Sequence, residues 1–109
     1  MEEKLFYVYF VADRSRVLYV GFTSDLGVRI KQHREGRFEG FTSRYGCSRL
    51  VWYETYGSPI EAISREKQLK RWRREKKIAL IELTNPTWED LSLEWWGKPV
   101  LYVEPKSIS

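Results

Sequence analysis

The sequence predicts a small α+β domain, a three-stranded antiparallel sheet flanked by helices in the order β-β-α-β-α-α. Three observations carry this reading. Two apolar and aromatic stretches, Leu5 to Val11 and Val17 to Val20, flank the polar tetrapeptide Asp13-Arg14-Ser15-Arg16, the pattern of a β-hairpin. A third stretch, Arg49 to Tyr56, is rich in Val, Trp and Tyr and closes at Gly57. The intervening segments carry helix start and stop signals, which sets helices against a single sheet.

Turning the hairpin symmetrically about Arg14 sets Tyr9 opposite Tyr19 on one sheet face. Gly21 then leads through Thr23-Ser24-Asp25 into a first helix, capped by Ser24 or Asp25 and stopped by Gly36. After the third strand, Ser58-Pro59-Ile60-Glu61 forms a capping box with proline at the first helical position, so a second helix should run to about Arg74 or beyond. Asn85-Pro86 opens a short third helical piece containing Trp88 and Leu91. Gly97 and Pro99 interrupt any further regular element, giving a domain over residues 1–95 and a tail over 96–109. The tail either adds a strand through Val100-Leu101-Tyr102-Val103 or is loosely ordered.

Composition narrows the class. A chain of 109 residues has room for one hydrophobic core, since domains of roughly 100 to 150 residues are the usual unit. A hydrophobic share of 42% with 16% aromatics is too apolar for a disordered chain. Nineteen Lys and Arg against fifteen Asp and Glu leave a charge of +4, with a pI ≈ 9.3. Cys47 is the single cysteine; it reads as a small buried or loop residue, and without an internal disulfide a reducing compartment is expected. No apolar run approaches the roughly 20 residues that span a bilayer, and Met1-Glu2-Glu3-Lys4 lacks the basic start and apolar stretch of a signal peptide. The expectation is a soluble, cytoplasmic protein with no membrane partner.

Several polar residues stand where apolar ones belong. Tyr9 and Tyr19 share a sheet face, although paired aromatics also simply stabilise sheets, and Tyr7 on the same face qualifies equally. On the first helix Leu26, Arg29, Ile30 and His33 form one stripe, so Arg29 and His33 occupy core positions or lie at the stripe's edge and reach solvent. A guanidinium held there suits a phosphate or a carboxylate. On the second helix Ala62, Ile63, Glu66 and Leu69 turn Glu66 toward the sheet, where its carboxylate needs a cation: Arg29 in an ion pair, or Mg²⁺. Beyond it, Lys67, Lys70, Arg71, Arg73, Arg74, Lys76 and Lys77 put seven cations in eleven residues around Trp72. Such a run is either a solvated face or a surface that tracks phosphates. Asn85 before Pro86 reads as a helix N-cap.

Together these positions resemble the GIY-YIG nuclease family. The likeness is strongest to its small single-domain bacterial members, which are similar to the N-terminal nuclease domain of the nucleotide-excision-repair endonuclease. Tyr7-Val8-Tyr9 resembles the first signature, with Tyr7 in place of the name-giving glycine, and Tyr19-Val20-Gly21 the second. Arg29 matches the arginine ten residues after the second tyrosine, and His33 follows it as in the small members. The segment EAISREKQLKRWRR, Glu61 to Arg74, looks like the family's second helix and brings its metal-binding glutamate onto Glu66. Gly40-Phe41-Thr42-Ser43-Arg44-Tyr45-Gly46 also resembles the small members. The likeness covers about residues 5 to 92. Phe22 stands where the repair branch has a lysine, and the family's later asparagine falls on Asn85 with altered spacing.

The resemblance implies metal-assisted hydrolysis of a phosphodiester bond in nucleic acid, with DNA as the expected partner, a repair setting, and one Mg²⁺ or Mn²⁺ held by Glu66. It places Tyr19 at or near the general base, with Tyr9 completing the hydrogen-bond network. Because a phenol's ordinary pKa is near ~10, Arg29 or the metal must favour the phenolate. Arg29 stabilises phosphate charge, and His33 positions water or shares proton transfer. Two other classes compete: a nucleic-acid-binding module that cuts poorly, and a protein-interaction adaptor using Trp95-Trp96 and the tail.

Overall fold

Strand β1 (Phe6–Ala12) sits between β2 (Leu18–Thr23) and β3 (Arg49–Tyr56), antiparallel to both. The computed structural model describes residues 4–35 and 49–95. Expectations that concern Gly36, Gly40 to Gly46, Cys47, Trp96 and the tail lie outside the described residues. The helices are α1 (Leu26–Arg34), α2 (Pro59–Arg71) and α3 (Arg74–Thr84), followed by a 3-10 turn at Leu91–Glu94.

Alternation along β1 divides the core into two layers. Val8, Phe10 and Ala12 pack with Val20, Trp52, Ala62, Leu69, Ile81 and Trp88 beneath α2 and α3. Tyr9 and Val11 face the other way, against Leu26, Ile30 and Leu50 beneath α1. A bulge in the β1–β3 ladder, where Phe10 pairs Trp52 but Val11 pairs Leu50, leaves Val51 unmatched. Val51 and Trp52 consequently enter the same layer.

The hairpin turns about Ser15, not Arg14, so Val11 faces Tyr19 and Tyr9 faces Gly21. Asp13 is the cause. Its Oδ1 accepts the Ser15 and Val17 amides at 2.8 and 3.0 Å, its carbonyl accepts Arg16 N at 2.9 Å, and Arg16 takes a φ of 64°. Moving the register by two residues keeps every side chain on its face. Tyr9 and Tyr19 therefore remain on one surface as a diagonal pair.

Asp25 caps α1 by accepting Val28 N, and Ser58 caps α2 by accepting Glu61 N. The single long second helix is corrected by the structure: it breaks at Trp72 and Arg73, both in extended backbone. A straight continuation of the buried stripe through Ala62 and Leu69 would bring Arg73 and Lys76 onto the sheet. The corner instead leaves both exposed and returns Ile81 to the core. The third helix is thus residues 74–84, not a piece opened by Asn85.

Asn85 occupies the C-cap of α3, where an N-cap was expected. Its Nδ2 donates to Val51 O at 3.0 Å and Glu89 O at 2.9 Å, while Oδ1 accepts Glu89 N at 3.0 Å. Trp88 lies in the turn just after Asn85, at φ 59°, with its indole N–H on Glu82 at 2.7 Å.

Candidate active site

Tyr9 projects from the centre of the sheet into complete burial, and its hydroxyl meets His33 Nε2 of α1 at 3.0 Å. The half-buried Tyr19 completes an aromatic triangle: its ring centroid lies 6.4 Å from Tyr9 and 4.8 Å from His33. Gly21 makes the arrangement possible. The Tyr9 ring crosses Gly21 of the edge strand so closely that a Cβ there would overlap the phenol oxygen and Cζ. The hydroxyl is thereby carried out over β2, toward the edge along which α2 packs. In the sequence Gly21 stands out only as part of a signature; its further signal is a glycine facing an aromatic inside a strand.

Burial disfavours ionisation of the Tyr9 phenol and raises its pKa, with the Tyr19 phenol acting in the same direction. The charge of Arg29 and its hydrogen bond to the phenol pull the other way, and the Glu66 carboxylate adds a smaller upward push. One hydroxyl thus registers Tyr19, Arg29 and Glu66, contributed by β2, α1 and α2. His33 is lowered from 6.5 to about 4 by burial, reinforced by the Arg29 charge, and stays neutral at pH 7. The Tyr9 hydroxyl and His33 Nε2 share one proton between them, the donor being set by the imidazole tautomer.

The expected stripe of α1 is present: Leu26, Ile30 and His33 are buried and Arg29 is half-buried, its Nη1 donating to Phe22 O at 3.4 Å. Glu66 is 17% exposed and forms an ion pair with Lys70 at 3.1 Å, one turn further along α2. Among the described residues no three His, Cys, Asp or Glu side chains group as a metal cage. Glu66 supplies a single carboxylate, and Mg²⁺ keeps several waters and takes one or two carboxylates together with substrate phosphate.

Tyr7 lies on the same face as Tyr9, two residues along, with its ring against Tyr53 at 6.4 Å. Phe22, in the place of the repair-branch lysine, stacks on Phe6 at 6.2 Å in the opposite layer. Asn85 is engaged with β3 and the turn after α3, through the bonds described with the fold. Lys67, Lys70, Arg71, Arg73, Arg74 and Lys76 are exposed and Lys77 half-buried, all around the α2–α3 corner. There Lys76 Nζ lies 4.3 Å from the Trp72 ring centroid and Arg74 donates to Arg16 O at 2.7 Å. Trp95 packs on Tyr53 at 6.1 Å.

Fold and site together define a small α+β domain with a phenol–imidazole cluster buried between its sheet and its first helix. Residues 5–79 match the GIY-YIG catalytic domain, most of the chain, and the chain belongs to the GIY-YIG family. Its relatives include UPF0213 proteins of Staphylococcus aureus and Staphylococcus haemolyticus, 33% and 34% identical over 76 residues, in each case 70% of this chain and 93% of the relative. The solution structure of a UPF0213 protein from Bacillus halodurans is similar at 31% identity and a TM-score of 0.54, covering 82% of this chain and 95% of that one. The family domain supports a nuclease-like function, acts on nucleic acid and generally uses divalent metal ions. No helix among the described residues is long and apolar enough to cross a membrane.

Proposed function

We propose that this protein is an endonuclease that hydrolyses phosphodiester bonds in DNA with one Mg²⁺ or Mn²⁺, the catalytic unit lying within residues 1–95 and followed by a tail. The observation that supports it most is one buried phenol that meets the His33 imidazole and feels the charges of Arg29, also on α1, and of the Glu66 carboxylate on α2. Tyr9 stays protonated, because burial holds its pKa up, and it anchors His33. Tyr19, the less buried phenol, faces the attacking water at or near the general-base position, and His33 shares the proton transfer. Arg29 stabilises the charge that develops on the phosphate. Glu66 would hold the metal, which when bound neutralises the leaving oxygen. Lys67, Lys70, Arg71, Arg73, Arg74, Lys76 and Lys77 would draw in the phosphate backbone. A cytoplasmic repair role fits this chemistry.

A second reading, a nucleic-acid-binding module that cuts poorly, is favoured by one contact: the Lys70–Glu66 ion pair already offsets the carboxylate that a metal needs. Incubation with single-stranded, branched and nicked DNA and with RNA, in Mg²⁺, Mn²⁺ or chelator, separates the two. Cleavage that is lost on Glu66→Ala and on Tyr19→Phe supports the enzyme. Cleavage surviving Glu66→Ala sinks the metal assignment, and salt-sensitive binding without cleavage gives the module.

A further inference from the structure

Next to the phenol cluster, on the same sheet face, lies a recess of about 320 Å³ that the chemistry above does not use. Three rings form its walls: Tyr7 of β1, Tyr53 of β3 and Trp95 after the 3-10 turn. Their contacts are edge-on, Tyr7 to Tyr53 at 66° and Tyr53 to Trp95 at 70°. The rings therefore stand as separate walls and do not close into a stack of their own. Tyr53 and Trp95 are each 39% exposed, so both rings present surface to the recess. The floor is the segment that leads into α1, residues 24–27, where the capping Asp25 carboxylate accepts the Val28 amide.

We infer that this recess seats one nucleobase of the substrate, unstacked from its neighbours, beside the phosphate that is cut. The inference rests on the nuclease reading. Its volume stands at the low end of ligand pockets, enough for a single ring system. Aromatic walls bind any base through its π-face. An acidic residue on the floor repels phosphate and suits the N–H edge of a base. Tyr7 and Tyr9 are two residues apart on one strand face, hence about 7 Å apart, so a base held at Tyr7 sets its own backbone over Tyr9 and Tyr19. The cations at the α2–α3 corner are left to the phosphates further along. A base inside a duplex cannot enter without leaving its stack, so strands with unpaired nucleotides are the favoured class of substrate.

Binding measured by fluorescence anisotropy in EDTA, so that nothing is cut, tests the inference. The probes are a short oligothymidine and a strand of equal length and charge built from abasic sites. The native chain should hold the oligothymidine more tightly by on the order of 5- to 100-fold. The Tyr53→Leu, Trp95→Leu double variant should lose that preference and keep its affinity for the abasic strand, which also shows that it is folded. Tyr53→Phe keeps the ring and should keep the preference. Equal, salt-sensitive binding of both strands by the native chain overturns the recess and leaves the nuclease reading standing, as does a preference that survives the double variant. Failure to bind either strand at low salt overturns the recess, and failure to bind branched and nicked DNA and RNA as well overturns the nuclease reading with it.

Discussion

Gly21 and His33 carry the sharpest single-residue consequences. A methyl group at position 21 would overlap the Tyr9 hydroxyl and ring carbons, with no flexible end to swing aside because Tyr9 is fully buried. Gly21→Ala should cost about 1–3 kcal/mol as an overpacking change and displace the phenol from His33. Urea unfolding and cleavage rate check this; native stability and rate in the variant would mean that the ring does not cross β2 there. For His33 the sign follows from its folded pKa of about 4 against 6.5. Above pH 6.5 both states are neutral, so the residue adds no pH dependence. Between 6.5 and 4 the unfolded chain takes up the proton first, and stability falls by on the order of 3 kcal/mol in all. Unfolding midpoints at pH 7 and 4.5 should therefore drop further for the native chain than for His33→Gln. Parallel drops would place the imidazole in a solvated setting.

At the scale of elements, what could be read beforehand depended on whether a boundary had its own chemistry. Strand β3 and the start of α2 appear where they were expected, because Gly57, Ser58 and Pro59 impose the turn and the cap. The stripe Leu26, Ile30, His33 was legible for the same reason: a polar residue at apolar spacing stands out. The α2–α3 corner was not, since neither Trp72 nor Arg73 breaks a helix by itself; tertiary burial decides, by refusing Arg73 and Lys76 a place on the sheet. The hairpin register also needed the Asp13 side chain, whose bonds to Ser15 and Val17 move the centre of the turn by one residue. Asn85 was misplaced because the end of α3 carries no glycine, and its partners Val51 and Glu89 are set by packing. Asn85→Ala should leave those buried backbone groups unsatisfied and lower stability by about 1–3 kcal/mol, while cleavage per folded molecule stays unchanged. A rate that collapses at full stability would move Asn85 into the chemistry.

The whole molecule separates its tasks between two regions. The phenol–imidazole cluster lies under α1 and at the β2 edge, whereas the cations gather where α2 turns into α3. Lys67 and Arg71 line a shallow groove beside Trp72, and both are exposed. If they meet phosphates, each releases counterions on binding, so affinity falls linearly with the logarithm of salt. Replacing either by alanine should reduce that slope by about one, weaken binding alike for every sequence, and leave the unfolding midpoint in place. Chelation should act in the opposite way: it stops cleavage, because Glu66 would lose its ion, and leaves the salt slope untouched, because the corner cations need no metal. Anisotropy titrations across a salt series, with and without EDTA, measure both effects on one sample. A slope unchanged in Lys67→Ala and Arg71→Ala would return the basic corner to an ordinary solvated face. A slope that vanished in EDTA would make the metal, and not the corner, the principal attachment to the backbone.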